Sequence, residues 1–456
     1  MQTHDIATPT PEIAAHHKRW TRNRTIIEGE DAVKAAGRVY LPKLPSQSDQ
    51  EYEAYKDSVD YFPAAMRTHE SHVGLIFRKR PTLTGADGFE NVIATISHRH
   101  SLDQLARELV SETLITNFSG LLVDAPEQQA GLSRAQAEAQ NIRPFLSRYR
   151  AESILEVTQA VVANRFTLTR VRLLDDPDTV RELRLDDGVY TVVMHRQTDS
   201  GWIADEPVTP MENGSPQTSI PFRIVSSQAN CTCPPKAPMD DICRLNVAHY
   251  RANAMLNNVH RHVASPIRYV TGIDTANDQQ GYTVSPDAIW LFESAETEVG
   301  ISEHSGNGAA TLEARCVTLV DQMAAIGGRV IQTEKAAAEA AETLAIRRAA
   351  EGSIMAALAS AIGEQIQELL RIALGRMGAV QEITYALNTD FMPVPIDAQT
   401  MSALRELVAG GFMPREVLFA VLKAGEIIPD SVTYDVYADQ IAQDVADRPP
   451  TDAMAF

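Results

Sequence analysis

The chain has little cysteine, few aromatic residues and no long apolar run, and each shortage excludes something. Only four cysteines, Cys231, Cys233, Cys243 and Cys316, stand among 456 residues. That argues against a disulfide-stapled fold and for reduced structural thiols in a cytosolic setting. Three of them cluster in CTCPPKAPMDDIC. C-x-C-x9-C is not a common zinc spacing, and His249 is the nearest candidate for a fourth ligand, so no metal is expected. No stretch of about 18 apolar residues occurs, and no membrane span is expected. The N-terminus, MQTHDIATPTPEIAAHHKRW, lacks the apolar core of a signal peptide.

Positive charge is also scarce. Lys and Arg number 41 against 60 Asp and Glu, a formal net charge of −19. General nucleic-acid binding needs Lys and Arg against phosphates, and anionic membranes need the same, so neither is expected. Catalytic signatures are missing. No GxxxxGK[ST], GxGxxG, HExxH or GxSxG occurs. The twelve histidines are scattered, and the acid pairs Asp175–Asp176 and Asp186–Asp187 sit where turns between strands explain them. The expectation is a non-enzyme with no catalytic residue, no metal ligand and no cofactor.

What remains is ordinary globular material, 44% hydrophobic and 22% charged, enough for roughly two to four domains. A polar arm leads into a helix around Trp20. SQSD is a helix N-cap cluster. It opens a pattern running from Glu51 through Tyr55, Val59 and Phe62, past Pro63, towards Val73, Leu75 and Ile76. LDQLARELVSETLITNF predicts a helix ending near Gly120, with the strand LLVD after it. Residues 151–225 change to RFTLTRVRLL, GVYTVVMHR and IPFRIVS, separated by DDPD, LDDG and TDSGW. These are strands with turn signals.

PMDDICRLNVAHYRANAMLNNVHRHV, 238–263, predicts a helix with acids at its start and His260, Arg261 and His262 at its end. Its stripe is Ile242, Leu245, Ala248, Ala252, Met255 and Val259. Residues 264–308 switch to short strands (SPIRYVTG, GYTV, AIWLFES) with seven acids against one base, Arg268. A helix over 310–330 weakens at Gly327 and Gly328. SIMAALASAIGEQIQELLRIALGRMG predicts a long helix with the stripe Met355, Leu358, Ile362, Ile366, Leu369 and Ala373, and Gly378 as its cap. A strand, QEITYALN, two short helices and an acidic tail with two prolines finish an α+β chain.

Between the last two long helices lies EKAAAEAAETLAIRR, Glu334 to Arg348. Six of its fifteen residues are Ala and six are charged. Such a composition favours helix, yet nothing large and apolar precedes Leu344 to hold it on a core. It reads either as a solvated helix or helical linker, or as a segment kept smooth because something moves past it.

Several strings, in order, resemble the portal proteins of tailed bacteriophages. The nearest likeness is to a branch described only as a phage domain of unknown function. They are WTRNRTIIEG from Trp20, AAGRVYLPKL with SDQEYEAYKDSVDYF, GLIFRKRP at 74–81, GLLVDAP at 120–126, RPF with YRAESILEV at 143–157, and IPF at 220–222. LNVAHYRANA at 245–254, SPIRYVTG at 265–272, LEARCVTLVDQMAAIGGRVI, and ETLAIRRAAEGSIMAALASAIGEQI at 342–366 complete the set. They span nearly the whole chain, and their ordered combination carries the match.

The resemblance implies a portal fold. Residues 1–237 would be wing (helical over 1–150, β-rich over 151–237), 238–263 the first stem helix, and 264–308 a small β-containing clip. Residues 309–330 would be the second stem helix, 331–350 the tunnel loop and flank, 351–380 the long wing helix, and 381–456 the remaining wing, crown-like region and tail. It implies a homo-oligomeric ring, usually of twelve subunits, at one capsid vertex of the virion, assembled in the host cytoplasm. Double-stranded DNA would pass through it without tight binding, during packaging and ejection. Its partners would be terminase, then neck or adaptor proteins, and the major capsid or scaffold protein.

On that likeness Glu334, Lys335, Glu339 and Glu342 would face DNA in the tunnel loop. Asp274, Asp278, Glu293, Glu296 and Glu298 would form an acidic clip surface for docking or for the channel. Arg347 and Arg348 would contact a neighbouring subunit, Glu342, Glu351 or DNA. The alternatives are another virion structural protein, such as a neck adaptor or minor capsid component, and a soluble enzyme with an unrecognised site.

Overall fold

A computed structural model describes residues 5–45, 47–97, 100–126, 142–162, 164–212, 214–264, 267–271, 296, 298–302, 308–327, 341–378, 382–391, 398–429 and 432–446. Within helix 341–376, side chains are described from Gly352 onward. The chain divides into two units, one through Asn388 and one from Thr389.

The N-terminal helices form because their apolar spacing and caps agree. α1 (Pro11–Glu28) has proline in its first turn, where the missing N–H costs nothing. α2 (Glu30–Ala36) follows. α3 (Asp49–Ser58) begins with a full capping box between Ser48 and Glu51. The helical pattern expected to run through Pro63 is two helices, because α4 (Ala64–Ile76) starts afresh after an irregular segment. Beyond β1 (Thr82–Thr84) and the single turn α5 (Glu90–Ile93) comes α6 (Leu102–Thr116), capped by Ser101 and Gln104. It ends at Asn117, whose backbone is left-handed. The Asn117 amide ties that turn to the Ser227 hydroxyl and the Lys236 carbonyl.

Two sheets lie against these helices. The first has the order β11 (Phe222–Val225), β2 (Ser119–Asp124), β3 (Phe145–Tyr149). The second is an antiparallel meander of β4 (Ile154–Val162), β5 (Arg165–Asp176), β6 (Thr179–Asp186), β7 (Val189–Thr198) and β8 (Gly201–Ala204). The short pair β9 (Met211–Glu212) and β10 (Ser215–Pro216) adjoins it in sequence. Ile13 and Trp20 of α1 share one buried cluster with Phe118, Leu122, Ile154, Val171, Leu183 and Phe222. Trp20 donates its indole N–H to the Thr116 carbonyl at 3.2 Å, so its one polar atom is satisfied on burial.

β4 and β6 carry no simple apolar alternation. Their charges are paired across the sheet instead. Glu156, Arg172 and Glu182 stand opposite one another on three successive strands. Arg172 Nε donates to Glu156 at 2.6 Å, Arg170 Nε to Glu182 at 2.6 Å, and His195 lies 2.9 Å from Glu182. Arg172 also donates to the carbonyls of Ile6 and Thr8, which fastens the N-terminal arm onto the sheet.

After these come α7 (Asp240–Ala264), the ribbon β12 (Ile267–Thr271) with β13 (Glu298–Ser302), α8 (Ala309–Ile326), α9 (Ala341–Arg376) and β14 (Thr384–Ala386). β14 pairs antiparallel with β1, 300 residues away in sequence. The second unit contains α10 (Ala398–Ala409), α11 (Arg415–Ala424) and α12 (Tyr434–Ala446). Leu404, Phe419 and Leu422 are among its buried residues. α12 adds a third helix to the two expected there. The expected strands GYTV and AIWLFES and the end of the acidic tail lie outside the described residues.

Candidate functional site

The module from α7 to α9 offers the structural candidate, because a helix, a ribbon and a second helix follow one another and the two helices pack together. α7 is fixed at its start. Asp240 sits 2.6 Å from Arg22 and 3.3 Å from the Asn23 amide of α1. Acids at a helix N-terminus are favoured by the helix dipole, and here they also bind a second helix.

Along α7, three asparagines at spacings of seven and four residues share one face. Asn246 donates to Phe62 O at 2.9 Å, Asn253 to Asp60 O at 3.0 Å and Asn257 to Ser58 O at 3.4 Å. The accepting carbonyls belong to alternate residues, from Ser58 at the end of α3 into the irregular segment before α4. Asn246 is fully buried, and its side-chain oxygen also accepts the Ala65 N–H at 3.0 Å. α4 has no cap of its own, since Pro63 stands at its N-cap. Asn246 therefore caps α4 from a helix 181 residues downstream. Arg251 adds Nε–H donation to Tyr40 O at 2.6 Å.

This clamp was not foreseen. Its signal was Asn246 standing between Leu245 and Val247 in an otherwise apolar stretch. The expected stripe needs one correction, since Met255 is exposed, while Ile242, Leu245 and Ala252 are buried. The helix also begins at Asp240, two residues after Pro238.

α8 returns along α7 and ends at Ile326. Its C-cap is Gly327, where an added Cβ would come within 2.7 Å of Thr68 Oγ1 and 3.0 Å of Ile242. Only glycine permits that approach to α4 and α7. Towards its start α8 is largely exposed, with Val317 among the exposed residues. In the ribbon, Tyr269 pairs with Gly300 and its ring lies across that glycine. Val299 and Ile301 are exposed on the other face.

α9 runs as one helix from Ala341 through Gly352 to Arg376, beginning ten residues ahead of the expected long helix. The whole expected stripe, Met355 to Ala373, is buried. Its polar residues grip strand backbones. Gln365 accepts from Ser226 N at 3.0 Å and donates to Ser226 O at 3.1 Å. Gln367 accepts from Tyr385 N at 2.8 Å. Arg223 reaches Glu368 at 2.9 Å.

Of the acidic clip residues, Glu296 and Glu298 are described and exposed, the latter at the start of β13. Asp274, Asp278 and Glu293 lie outside the described residues, as do Glu334, Lys335 and Glu339. Glu342, Arg347 and Arg348 stand in the first turns of α9, with their side chains outside the description.

The cysteines are all free. Burial raises the thiols of Cys231 and Cys316 and pushes Cys243 up to about 12, away from the thiolate that binds metal. Among the described residues no group of three His, Cys, Asp or Glu could hold a metal ion, and no helix is long and apolar enough to cross a membrane.

A family model described as a domain of unknown function, DUF4055, matches residues 238–375, the span from α7 to α9. No curated protein matches the chain. Among solved structures, a chain in the virion of a native gene transfer agent particle is 11% identical, over 86% of this chain and 98% of that one, with a TM-score of 0.41. A chain in the neck of an empty gene transfer agent particle, computed with C6 symmetry, is 13% identical over 79% and 90%, with a TM-score of 0.42. One in the neck of the native particle, computed with C12 symmetry, is 11% identical over 79% and 89%, with a TM-score of 0.38. At these scores the likeness carries no assignment, and the family model ends where α9 does.

Proposed function

We propose that this chain is the portal subunit of a tailed-phage-like particle. In this reading copies close into a ring, usually twelve in that family, around a channel for double-stranded DNA at one capsid vertex. The ring is a structural conduit without catalysis of its own. The observation that carries the reading is the α7–ribbon–α8 module. It is clamped to the body at one end and exposed at the other, and a long helix follows it. That order corresponds to the stem, clip, stem and long helix that the ordered sequence resemblance implies.

The charge balance supports the same reading. A conduit for any DNA sequence must not hold the polymer, and phosphate contacts by Lys and Arg would do so. A chain of net charge −19 repels it. Within the proposal, Glu334, Lys335, Glu339 and Glu342 face the channel, and Arg347 and Arg348 sit close to it or to a neighbouring copy. The acids Asp274, Asp278, Glu293, Glu296 and Glu298 mark the end of the ring where terminase, and later neck proteins, dock. Electron microscopy of the purified full-length protein tests the proposal. Rings with a central hole of DNA-duplex width are expected. Monomers or open filaments at every concentration would sink the reading.

A further inference from the structure

The five-stranded sheet is open, with β4 and β8 at its edges. β5 pairs with β6 only from Arg170 onward. Beyond that point β4 and β5 pair with each other alone: Gln159 with Leu168, Val161 with Phe166, Val162 with Arg165. The hairpin thus outruns the sheet. Val157, Val171 and Leu168 belong to the core on one face. By register, Val161 and Phe166 continue that face past the end of the core. At the opposite edge Ile203 stands across from Arg196, two steps along β7 from Met194 and four from the partly buried Val192, so it shares the same face. Val208 and Met211 follow it in the chain. Val161, Val162, Phe166, Ile203, Val208 and Met211 are each 49–65% exposed.

The two edges differ in charge. TQAVVANRFTLT, 158–169, holds one charged residue, Arg165, and no proline. Protruding ribbons of that composition pair with other chains unless something covers them. TDSGWIADEPVTPMEN, 198–213, holds Asp199, Asp205, Glu206 and Glu212 and no base. Asp205 is paired with Arg196 at 3.0 Å, and Glu212 lies 3.6 Å from Arg376.

We propose that the occupant of the hairpin tip is a second copy of this chain. Val161 and Phe166 of one copy seat against Ile203, Val208 and Met211 of the next, and Arg165, beside Val162 on the other face of the tip, reaches round it to Glu206. Two unlike patches on opposite edges of one sheet, both apolar and opposite in charge, make a head-to-tail contact. Such a contact propagates, and it closes into a ring when the rotation per copy divides a full turn. The inference deepens the ring reading and rests on it.

Cross-linking of the full-length chain tests it. One pool carries Val161→Cys and a second carries Val208→Cys, both with Cys233→Ser to remove an exposed native thiol. Under oxidation, disulfide-linked dimers are expected when the pools are mixed, and not within either pool alone. Arg165→Glu is expected to raise the concentration needed for assembly by about tenfold or more, and adding Glu206→Arg to restore it, consistent with a buried interfacial charge pair. Phe166→Asp, at an exposed position, should fold with an unchanged melting temperature yet assemble poorly. Rings that form without the mixed cross-link, and with Phe166→Asp assembling normally, overturn the sheet contact and leave the ring reading standing. Cross-links confined to Val161→Cys with itself overturn it in favour of a two-fold pair. A wild-type chain that stays monomeric at all concentrations overturns both readings.

Discussion

Replacing Asn246 by leucine isolates the cap that α7 supplies to α4. The side chain keeps its volume and loses both polar contacts. Ala65 N–H, in the first turn of α4, then has no acceptor within the protein, because Pro63 cannot provide one. Phe62 O loses the Asn246 amide and keeps the Ala64 N–H at 2.9 Å. An orphaned buried donor costs about 1–3 kcal/mol and a lost neutral hydrogen bond about 1, so the loss should total about 2–4 kcal/mol. Asn257→Ala removes one long, part-exposed bond of 3.4 Å and should cost about 0.5 kcal/mol or less. Asn246→Asp keeps the acceptor at the N-terminus of α4, where negative charge is favoured, but turns a carboxylate towards Phe62 O, so its loss should be intermediate. Urea unfolding followed by circular dichroism gives the ranking, and hydrogen exchange over residues 60–70 locates it. If Asn246→Leu costs no more than Asn257→Ala, and exchange at the start of α4 is unchanged, the capping argument is wrong.

Three further outcomes follow from other contacts. Arg24 forks onto Glu112 and Glu152, with Glu112 nearly fully buried. Arg24→Met should destabilise by about 3–5 kcal/mol, and the double change with Glu112→Leu should recover much of it, because the single change strands a buried charge; denaturant midpoints decide. Gly300→Ala would bring a Cβ to 2.3 Å from the Tyr269 ring, so the ring must leave the ribbon, read as faster proteolysis within 267–302 with unchanged global unfolding. Burial lowers His72 from 6.5 to about 4, with His69 adding to the shift, and burial also lowers His69 and His249. In that window the unfolded chain binds the proton and the folded chain does not. Stability should therefore fall as pH drops from about 6.5 to about 4, by at most about 3 kcal/mol for His72. His72→Gln should flatten the slope of urea midpoint against pH; an equal slope in both proteins would refute this.

Periodicity made the helices legible. Met355 to Ala373 repeat at helical spacing and every one is buried, and SQSD marked the start of α3 through a capping box that forms. What looked like one helix is split: α3 already ends at Ser58, and the residue before Pro63 avoids the helical region, so a helix can resume only beyond it. β4 and β6 stayed hidden because Glu156, Arg172 and Glu182 replace apolar alternation with cross-strand ion pairs, and pairing depends on neighbours that sequence order does not reveal. The pairing of β1 with β14 was illegible for the same reason, with partners 300 residues apart. For the candidate module, the order of helix, short strands and helix was readable. Its attachment was not, because asparagines bonded to distant carbonyls leave only isolated polar residues in an apolar pattern.

Those asparagines also govern which changes the segment 58–62 can accept. Side-chain identity is not what the three asparagines read, because each of their contacts ends on a main-chain oxygen. Length is. From Asn246 to Asn257 the helix rises about 16 Å, and the four steps from Ser58 to Phe62 could cover at most about 13–14 Å. Side-chain reach absorbs the difference. One residue more or less would shift these carbonyls out of step with the asparagines, whose spacing the helix fixes. The segment works as a ruler: its side chains are held separately, with Val59 buried, Tyr61 against Tyr250 and Phe62 against His249, while its length sets the register at which α7 leaves the body.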